Sequence, residues 1–171
     1  GSAFALPCLD NNHNINIIGT HLENDFIDNL KENGNLHPGL NTKLPKEIKI
    51  FKFDKFDELL KSNVDLIVLG ISSKGIEWVS DQLSRLFKNE SMPNLLMLTK
   101  GLSIHENNYE LLVEKLERLL AKKGISKLNI SAVGGPCLAA GLANRIHSSV
   151  VIANKDLQTA KKLADMLNTN Y

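Results

Sequence analysis

The chain has 171 residues, 20 Lys plus Arg against 19 Asp plus Glu, 43% apolar side chains and 23% charged ones. That length bounds one domain, and the composition excludes wholesale disorder. A net charge of +1 excludes a strongly basic nucleic-acid binder and an acidic tail. No apolar run approaches the roughly 20 residues that a membrane helix needs.

Two cysteines, Cys8 and Cys137, give no disulfide framework and fit a reducing compartment. No basic stretch precedes an apolar core, so no secretory signal is read. A soluble cytoplasmic protein is the expectation. Aromatic side chains make up 5% of the chain, so the core must rest on Leu, Ile, Val and Ala.

The chain opens on a helical pattern, Gly1-Ser2-Ala3-Phe4-Ala5, with small residues where a helix packs closely on a sheet or a ligand. Residues 14–18 (NINII) alternate at period two and read as a strand. Residues 22–32 read as a helix with Phe26, Ile27 and Leu30 on one face and Gly34 just past its end. Residues 35–47 hold Pro38, Gly39 and Pro45 and read as a loop. A short strand over 48–53 and a short helix over 56–60 follow. Residues 64–71 (VDLIVLGI) are almost continuously apolar, which suits a strand buried on both faces of a parallel sheet.

The second half repeats the alternation. Residues 75–87 carry Ile76, Val79, Leu83, Leu86 and Phe87 at helical spacing, and 95–98 read as a buried strand. The longest predicted helix is 109–123, with Leu112, Leu116, Leu119 and Leu120 inward, a Glu114–Arg118 pair four apart, and Gly124 as its stop. A strand over 128–133, a helix over 138–146, a strand over 150–153 and a helix over 156–167 complete the pattern, with Asp156 near the start of the last helix. Strands alternating with helices predict an α/β fold with a doubly wound, mostly parallel sheet.

Three segments fall at one end of that sheet, outside the carboxyl ends of strands, where open parallel sheets bind ligands. In Thr99-Lys100-Gly101, the lysine is either solvated or placed to hold an anion or a reacting carbonyl. Gly134-Gly135-Pro136-Cys137 precedes a predicted helix. It is either a tight turn or a set of backbone N–H groups at a helix N-terminus, with Pro136 early in the helix. In residues 70–75 (GISSKG) the serines either cap a helix or face a nucleotide. The predicted strand over 14–18 runs into Gly19-Thr20-His21, about 20 residues past Gly1, with Glu23 just beyond. A dinucleotide site often places an acid there for the ribose hydroxyls, and no Arg stands nearby for a 2′-phosphate, which leans toward NAD without settling NAD against NADP.

Other chemistry finds less support. The histidines at 13, 21, 37, 105 and 147 share no metal-ligand spacing, so no metal is expected. The lysines at 43, 46, 49, 52 and 55 are interrupted by Glu47 and Asp54, and nucleic-acid binding is not expected. Cys137 has no evident base partner, and no Walker A motif or nucleophile elbow is present.

The segments GSAFA, GTHLE, HPGL, SSKGIEW, LTKGL, GGPCLAAGLA and SVVIAN run in the order found in the N-terminal domain of NAD(P)-dependent glycerol-3-phosphate dehydrogenase, which the chain resembles from Gly1 to about Asp165. The resemblance implies a Rossmann-like cofactor domain. The family enzyme is an oxidoreductase interconverting dihydroxyacetone phosphate and sn-glycerol 3-phosphate, a phospholipid precursor, with NAD(P)H. By this resemblance Lys100 is the family lysine that meets both cofactor and substrate. Gly135 belongs to the substrate turn, Cys137 stands where Ser or Thr contacts substrate, and Ala139 lies beside the cofactor. Gly1, Ser2, Thr20, His21 and Ser72 fall where the family holds cofactor.

The sequence also departs from the family. It lacks the first strand and the first two fingerprint glycines, carries Gly141 where the family commonly has Glu, and ends at about the start of the family's helical C-terminal catalytic domain. A partial cofactor domain with an incomplete catalytic set is therefore expected, inactive in isolation and prone to self-association through exposed sheet edges. The alternative function is a non-catalytic remnant, a nucleotide-binding or interaction module without dehydrogenase activity.

Overall fold

In the computed structural model, which describes residues 1–125 and 127–171, the chain divides into two compact units. The first comprises Gly1–Ser62, Gly135–Val150 and Leu163–Tyr171; the second comprises Asn63–Gly134 and Val151–Lys162.

The first unit opens on a 3₁₀ turn, Ser2–Phe4, and helix α1, Ala5–Asp10. Strand β1, Asn16–Ile18, leads to helix α2, Asn24–Glu32. Ile27 and Leu30 of α2 are buried, whereas Phe26 is 37% exposed and does not share their inward face. The predicted loop over 35–47 holds a small antiparallel ladder, β2 (Leu36–His37) with β3 (Thr42–Lys43). Two residues per strand are too few for a period-two signal to be read. Strand β4, Lys49–Phe51, pairs parallel with β1. Helix α3, Phe56–Leu60, has the predicted bounds. The core of this unit joins Ala3, Ala5 and Leu6 to Ile27, Leu30, Leu44, Ile48, Ile50 and Ala143. Each is small or aliphatic, as the scarcity of aromatics requires.

The second unit is built on a four-stranded sheet in the order β10-β9-β6-β5. Strand β5 is Leu66–Leu69, β6 is Asn94–Met97 and β9 is Ile130–Gly134; these three run parallel. Strand β10, Val151–Ala153, pairs antiparallel with β9. The apolar run over 64–71 is shorter as a strand than predicted. Within β5 only Leu69 is fully buried, because β5 ends the sheet and a single neighbour, β6, pairs with it. Leu95, Leu96 and Met97 of the interior strand β6 are at most 1% exposed.

Helix α4, Ile76–Phe87, follows β5 and turns Ile76, Val79, Leu83, Leu86 and Phe87 inward. The predicted helix 109–123 is corrected by the structure. Its first residues form strand β8, Asn108–Leu111, which pairs antiparallel with β7, Leu102–His105. Glu106 and Asn107 make the turn at φ +50° and +63°, the paired left-handed conformation of a two-residue hairpin. Helix α5, Leu112–Lys122, starts only after it. The apolar spacing misleads at this boundary because Tyr109 and Leu111 belong to a strand, while Leu112, Leu116 and Leu120 are the buried helical set.

The ion pairs of α5 also differ from expectation. Glu114 accepts from the Leu111 N–H at 2.7 Å, closing the helix N-terminus, and Arg118 binds Glu110 instead. Between α4 and α5, Lys115 meets Glu77 at 2.8 Å and Lys123 donates to the fully buried Ser80 hydroxyl at 2.6 Å. The Asn154 amide donates to the Asn129 side chain, the Ile130 carbonyl and the buried Ser131 hydroxyl, so the polar group inside this sheet is satisfied. Helix α7, Leu157–Leu167, is preceded by Asp156, whose carboxylate accepts from the Thr159 N–H at 2.9 Å and the Thr159 hydroxyl at 2.6 Å. These bonds hold the Asp156 carboxyl below its usual range.

Candidate functional site

In the second unit, β5, β6 and β9 point the same way, so Leu69, Met97 and Gly134 are their carboxyl ends. The loops leaving β5 and β6 are held side by side. The Leu98 N–H donates to the Leu69 carbonyl at 3.0 Å, extending the ladder by one bond. The Thr99 hydroxyl donates to the Ile71 carbonyl at 2.5 Å. Ser72 and Lys100 are the residues that follow these two anchors, and both are exposed.

Ser72 occupies the cap position of a 3₁₀ turn, Ser73–Gly75. Its carbonyl accepts from the Gly75 N–H at 2.9 Å, while its side chain makes no cap bond. The backbone therefore makes the turn and the hydroxyl faces solvent. Lys100 has no hydrogen-bond or ion-pair partner among the described residues. Gly101 beside it lies at φ +135°, a conformation that L side chains rarely adopt. Its carbonyl accepts from the Leu112 N–H at 3.3 Å. An exposed, unpaired ammonium at a strand's carboxyl end can bind an anion or hydrogen-bond a carbonyl oxygen.

In the first unit, Gly135 lies at φ +105°. A Cβ on it would stand 2.9 Å from the Ser149 carbonyl oxygen and 3.2 Å from the Val150 Cα. The position therefore demands glycine on both conformational and steric grounds. The expected helix over 138–146 is shorter, α6 being Ala139–Ala143. Pro136 and Cys137 thus precede the helix and belong to the turn, in which the Cys137 N–H donates to the Gly135 carbonyl at 3.1 Å. The expected helix N-terminus at Gly134–Gly135 is not formed. The chain leaves α6 through Asn144 and Arg145, the latter at φ +53°. Cys137 is half-buried and Ala139 exposed.

At the end of β1, the Thr20 N–H and hydroxyl both donate to one Glu23 carboxylate oxygen, at 2.7 and 2.8 Å. The hydroxyl of Thr20 is thereby engaged in its own turn. His21 is exposed, with its ring edge-on to Phe53 at 6.1 Å. Gly1 is exposed and Ser2 half-buried, with the Gly1 carbonyl accepting from the Phe4 N–H at 2.9 Å.

Cys8 is a free, buried thiol whose burial pushes its pKa up to about 11, which suits packing and not nucleophilic chemistry. A cavity of about 300 Å³ is lined by Asp10, Asn11, Arg145, Asn168, Thr169 and Tyr171, among others, and by none of the predicted site residues. There the Arg145 guanidinium, hydrogen-bonded to Asp10, holds that carboxyl below its usual range. Burial and then the Asp10 hydrogen bond push Tyr171 up to about 12.

The feature that sequence reasoning missed is the Thr99 hydroxyl. A threonine ending a strand reads as ordinary β propensity, and no pattern in the chain links it to Ile71.

Comparison with known proteins identifies the family. The family model described as NAD-dependent glycerol-3-phosphate dehydrogenase N-terminus matches residues 1–160, and the chain belongs to that family. The NADP(+)-dependent glycerol-3-phosphate dehydrogenase of Archaeoglobus fulgidus is 26% identical over the whole chain. The glycerol-3-phosphate dehydrogenase [NAD(P)+] of Mesoplasma florum is 22% identical, again over the whole chain. Each match covers 48% of the relative, so the chain spans about half the length of the curated relatives it matches. Among solved structures, the glycerol-3-phosphate dehydrogenase of Coxiella burnetii superposes with a TM-score of 0.77 at 20% identity, covering 98% of this chain and 47% of that one. That of Saccharomyces cerevisiae gives 0.75 at 17% identity, covering 100% and 51%. These likenesses show that the α/β fold is the Rossmann-like one of those proteins.

Proposed function

We propose that this chain is the cofactor-binding part of a glycerol-3-phosphate dehydrogenase, interconverting dihydroxyacetone phosphate and sn-glycerol 3-phosphate with NAD, or with NADP in its place. The observation that carries the reading is Lys100: an exposed cation without a partner among the described residues, at the carboxyl end of β6, in a chain matched by the family over residues 1–160.

The residues present suit a nicotinamide dinucleotide. Gly70, Ser72 and Gly101 are exposed at the carboxyl ends of β5 and β6, leaving backbone and hydroxyl groups open to a ligand. When bound, the nicotinamide accepts or supplies the hydride. In the second unit, Ser72 and Lys100 contact the cofactor, and the Lys100 ammonium also donates a hydrogen bond to the substrate's carbonyl oxygen. As that oxygen gains negative charge during reduction, a cation hydrogen-bonded to it stabilises it more than it stabilises the neutral ketone. In the first unit, Gly1, Ser2, Thr20, His21 and Ala139 contact the cofactor, and Gly135 and Cys137 contact the substrate. The reading calls for no metal.

The reading includes a cytoplasmic location, supported by two free cysteines. Among the described residues no helix is long and apolar enough to cross a membrane. It also includes self-association through β5 and β10, each of which keeps one hydrogen-bonding edge unused within its sheet.

The test is dihydroxyacetone phosphate-dependent oxidation of NADH and NADPH by the enzyme that carries this chain, in wild-type and Lys100→Ala forms. Turnover that Lys100→Ala removes supports the reading. Absence of turnover with either cofactor, or turnover indifferent to Lys100→Ala, rejects it.

A further inference from the structure

We propose that Thr99 is a positioning residue, its hydroxyl clamping the Ser72 loop to the Lys100 turn; this rests on the reading of Ser72 and Lys100 as cofactor and substrate contacts. The regular pairing of β5 with β6 ends at Leu69 and Met97, and the Leu98 N–H to the Leu69 carbonyl is the last backbone bond of that ladder. Beyond it the tie is a side chain. The half-buried Thr99 hydroxyl donates to the Ile71 carbonyl at 2.5 Å, across 28 residues of sequence. That distance lies at the short end of the O–H···O range.

The bond sits one residue before each candidate contact. Ile71 precedes Ser72, and Thr99 precedes Lys100. On its far side the turn is held again, by the Leu112 N–H on the Gly101 carbonyl at 3.3 Å. Lys100 thus stands between two anchored neighbours, Thr99 by its hydroxyl and Gly101 by its carbonyl, while its own ammonium is free among the described residues. Its long stem is flexible, so the only precision available to the charge is that of the backbone it leaves. Removing the hydroxyl would leave the two loops joined only by the Leu98–Leu69 bond behind them, and the Ile71 carbonyl without this donor. A misplacement of about 1 Å at a reacting group can cost about a hundredfold in rate.

The experiment compares Thr99→Val and Thr99→Ser with wild type in the enzyme carrying this chain. Thr99→Val keeps the β-branch and removes the donor; Thr99→Ser keeps the donor. The readouts are kcat, KM for dihydroxyacetone phosphate, melting temperature, and the acylation rate of the Lys100 amine. The expected result is a roughly ten- to hundredfold fall in kcat/KM for Thr99→Val, with an altered Lys100 acylation rate and near-complete recovery in Thr99→Ser. Wild-type kinetics in Thr99→Val, or equal losses in both variants, overturn the clamp. If Thr99→Val does not fold, Thr99→Ser alone decides: kcat/KM and Lys100 acylation at wild-type values support the clamp, and a tenfold loss overturns it. Lys100→Ala separates the two readings. If it leaves turnover intact, the proposed function fails; if it abolishes turnover while Thr99→Val does not weaken it, only the clamp fails.

Discussion

Arg118 grips Glu110 with two parallel hydrogen bonds, Nε to Oε2 at 3.0 Å and Nη2 to Oε1 at 2.6 Å. The Ser103 hydroxyl adds a third bond to the same carboxylate at 3.0 Å. One carboxylate therefore ties both strands of the β7–β8 hairpin to helix α5. Bidentate geometry of this kind is the strong form of an ion pair. The Arg118 hydrogen bonds, with a smaller contribution from Ser103, bring the Glu110 pKa down from 4.5 to about 2.

A carboxyl whose folded pKa lies below its unfolded value stabilises the fold above the unfolded value. That contribution is lost as pH falls from about 4.5 toward about 2. Glu110→Gln should therefore be less stable than wild type at neutral pH, with the difference closing across that window. Urea unfolding of both proteins between neutral pH and pH about 2 measures it. A difference that stays constant with pH would show that the pair contributes nothing through its charge.

Lys100 is exposed and unpaired among the described residues, so its removal should not disturb folding. In the enzyme carrying this chain, Lys100→Ala is expected to lower kcat/KM by about 100-fold or more with the melting temperature unchanged. Steady-state kinetics beside a thermal melt tests both halves. A variant that loses activity only by melting early would assign the lysine to structure.

Gly135→Ala places a Cβ 2.9 Å from the Ser149 carbonyl oxygen at φ +105°. Strained non-glycine conformations cost about 1–3 kcal/mol, and the turn must also shift to relieve the contact. The expected outcome is a lowered melting temperature and, under the proposed function, a raised KM for dihydroxyacetone phosphate. A variant as stable as wild type would mean that the segment 148–150, which leads into β10, yields freely.

Leu116 is fully buried on α5. Leu116→Ala should cost about 2–5 kcal/mol, from lost transfer energy plus the cavity left behind. Chemical denaturation reads this directly. A cost below about 1 kcal/mol would show that α5 collapses into the space and that the core is less closely packed than its burial implies.

Much of the fold was legible in the chain because its signals are local. The aliphatic spacing of Ile76, Val79, Leu83 and Leu86 prescribes α4, and α3 has its predicted bounds. Outside the β2–β3 and β7–β8 hairpins, the order of strands and helices, and the placement of Thr99-Lys100-Gly101 after a buried strand, follow from the same periodicities. The hairpin over 102–111 was not legible, because Leu111 and Leu112 are adjacent apolar residues that serve different periods. Leu111 is 51% exposed at the end of a strand and Leu112 is 4% exposed at the start of a helix.

The candidate site divides the same way. The residue types at Ser72, Lys100, Gly135 and Cys137, and their positions after strands, are properties of the sequence, since strand ends and turns are written in local patterns. The choice of Glu110 over Glu114 as the partner of Arg118, the bond from Thr99 to Ile71, and the contact that excludes a side chain at Gly135 each join atoms that the sequence does not relate. Only tertiary structure decides them, because a hydrogen bond or a steric contact depends on where two separate stretches of backbone come to rest in space.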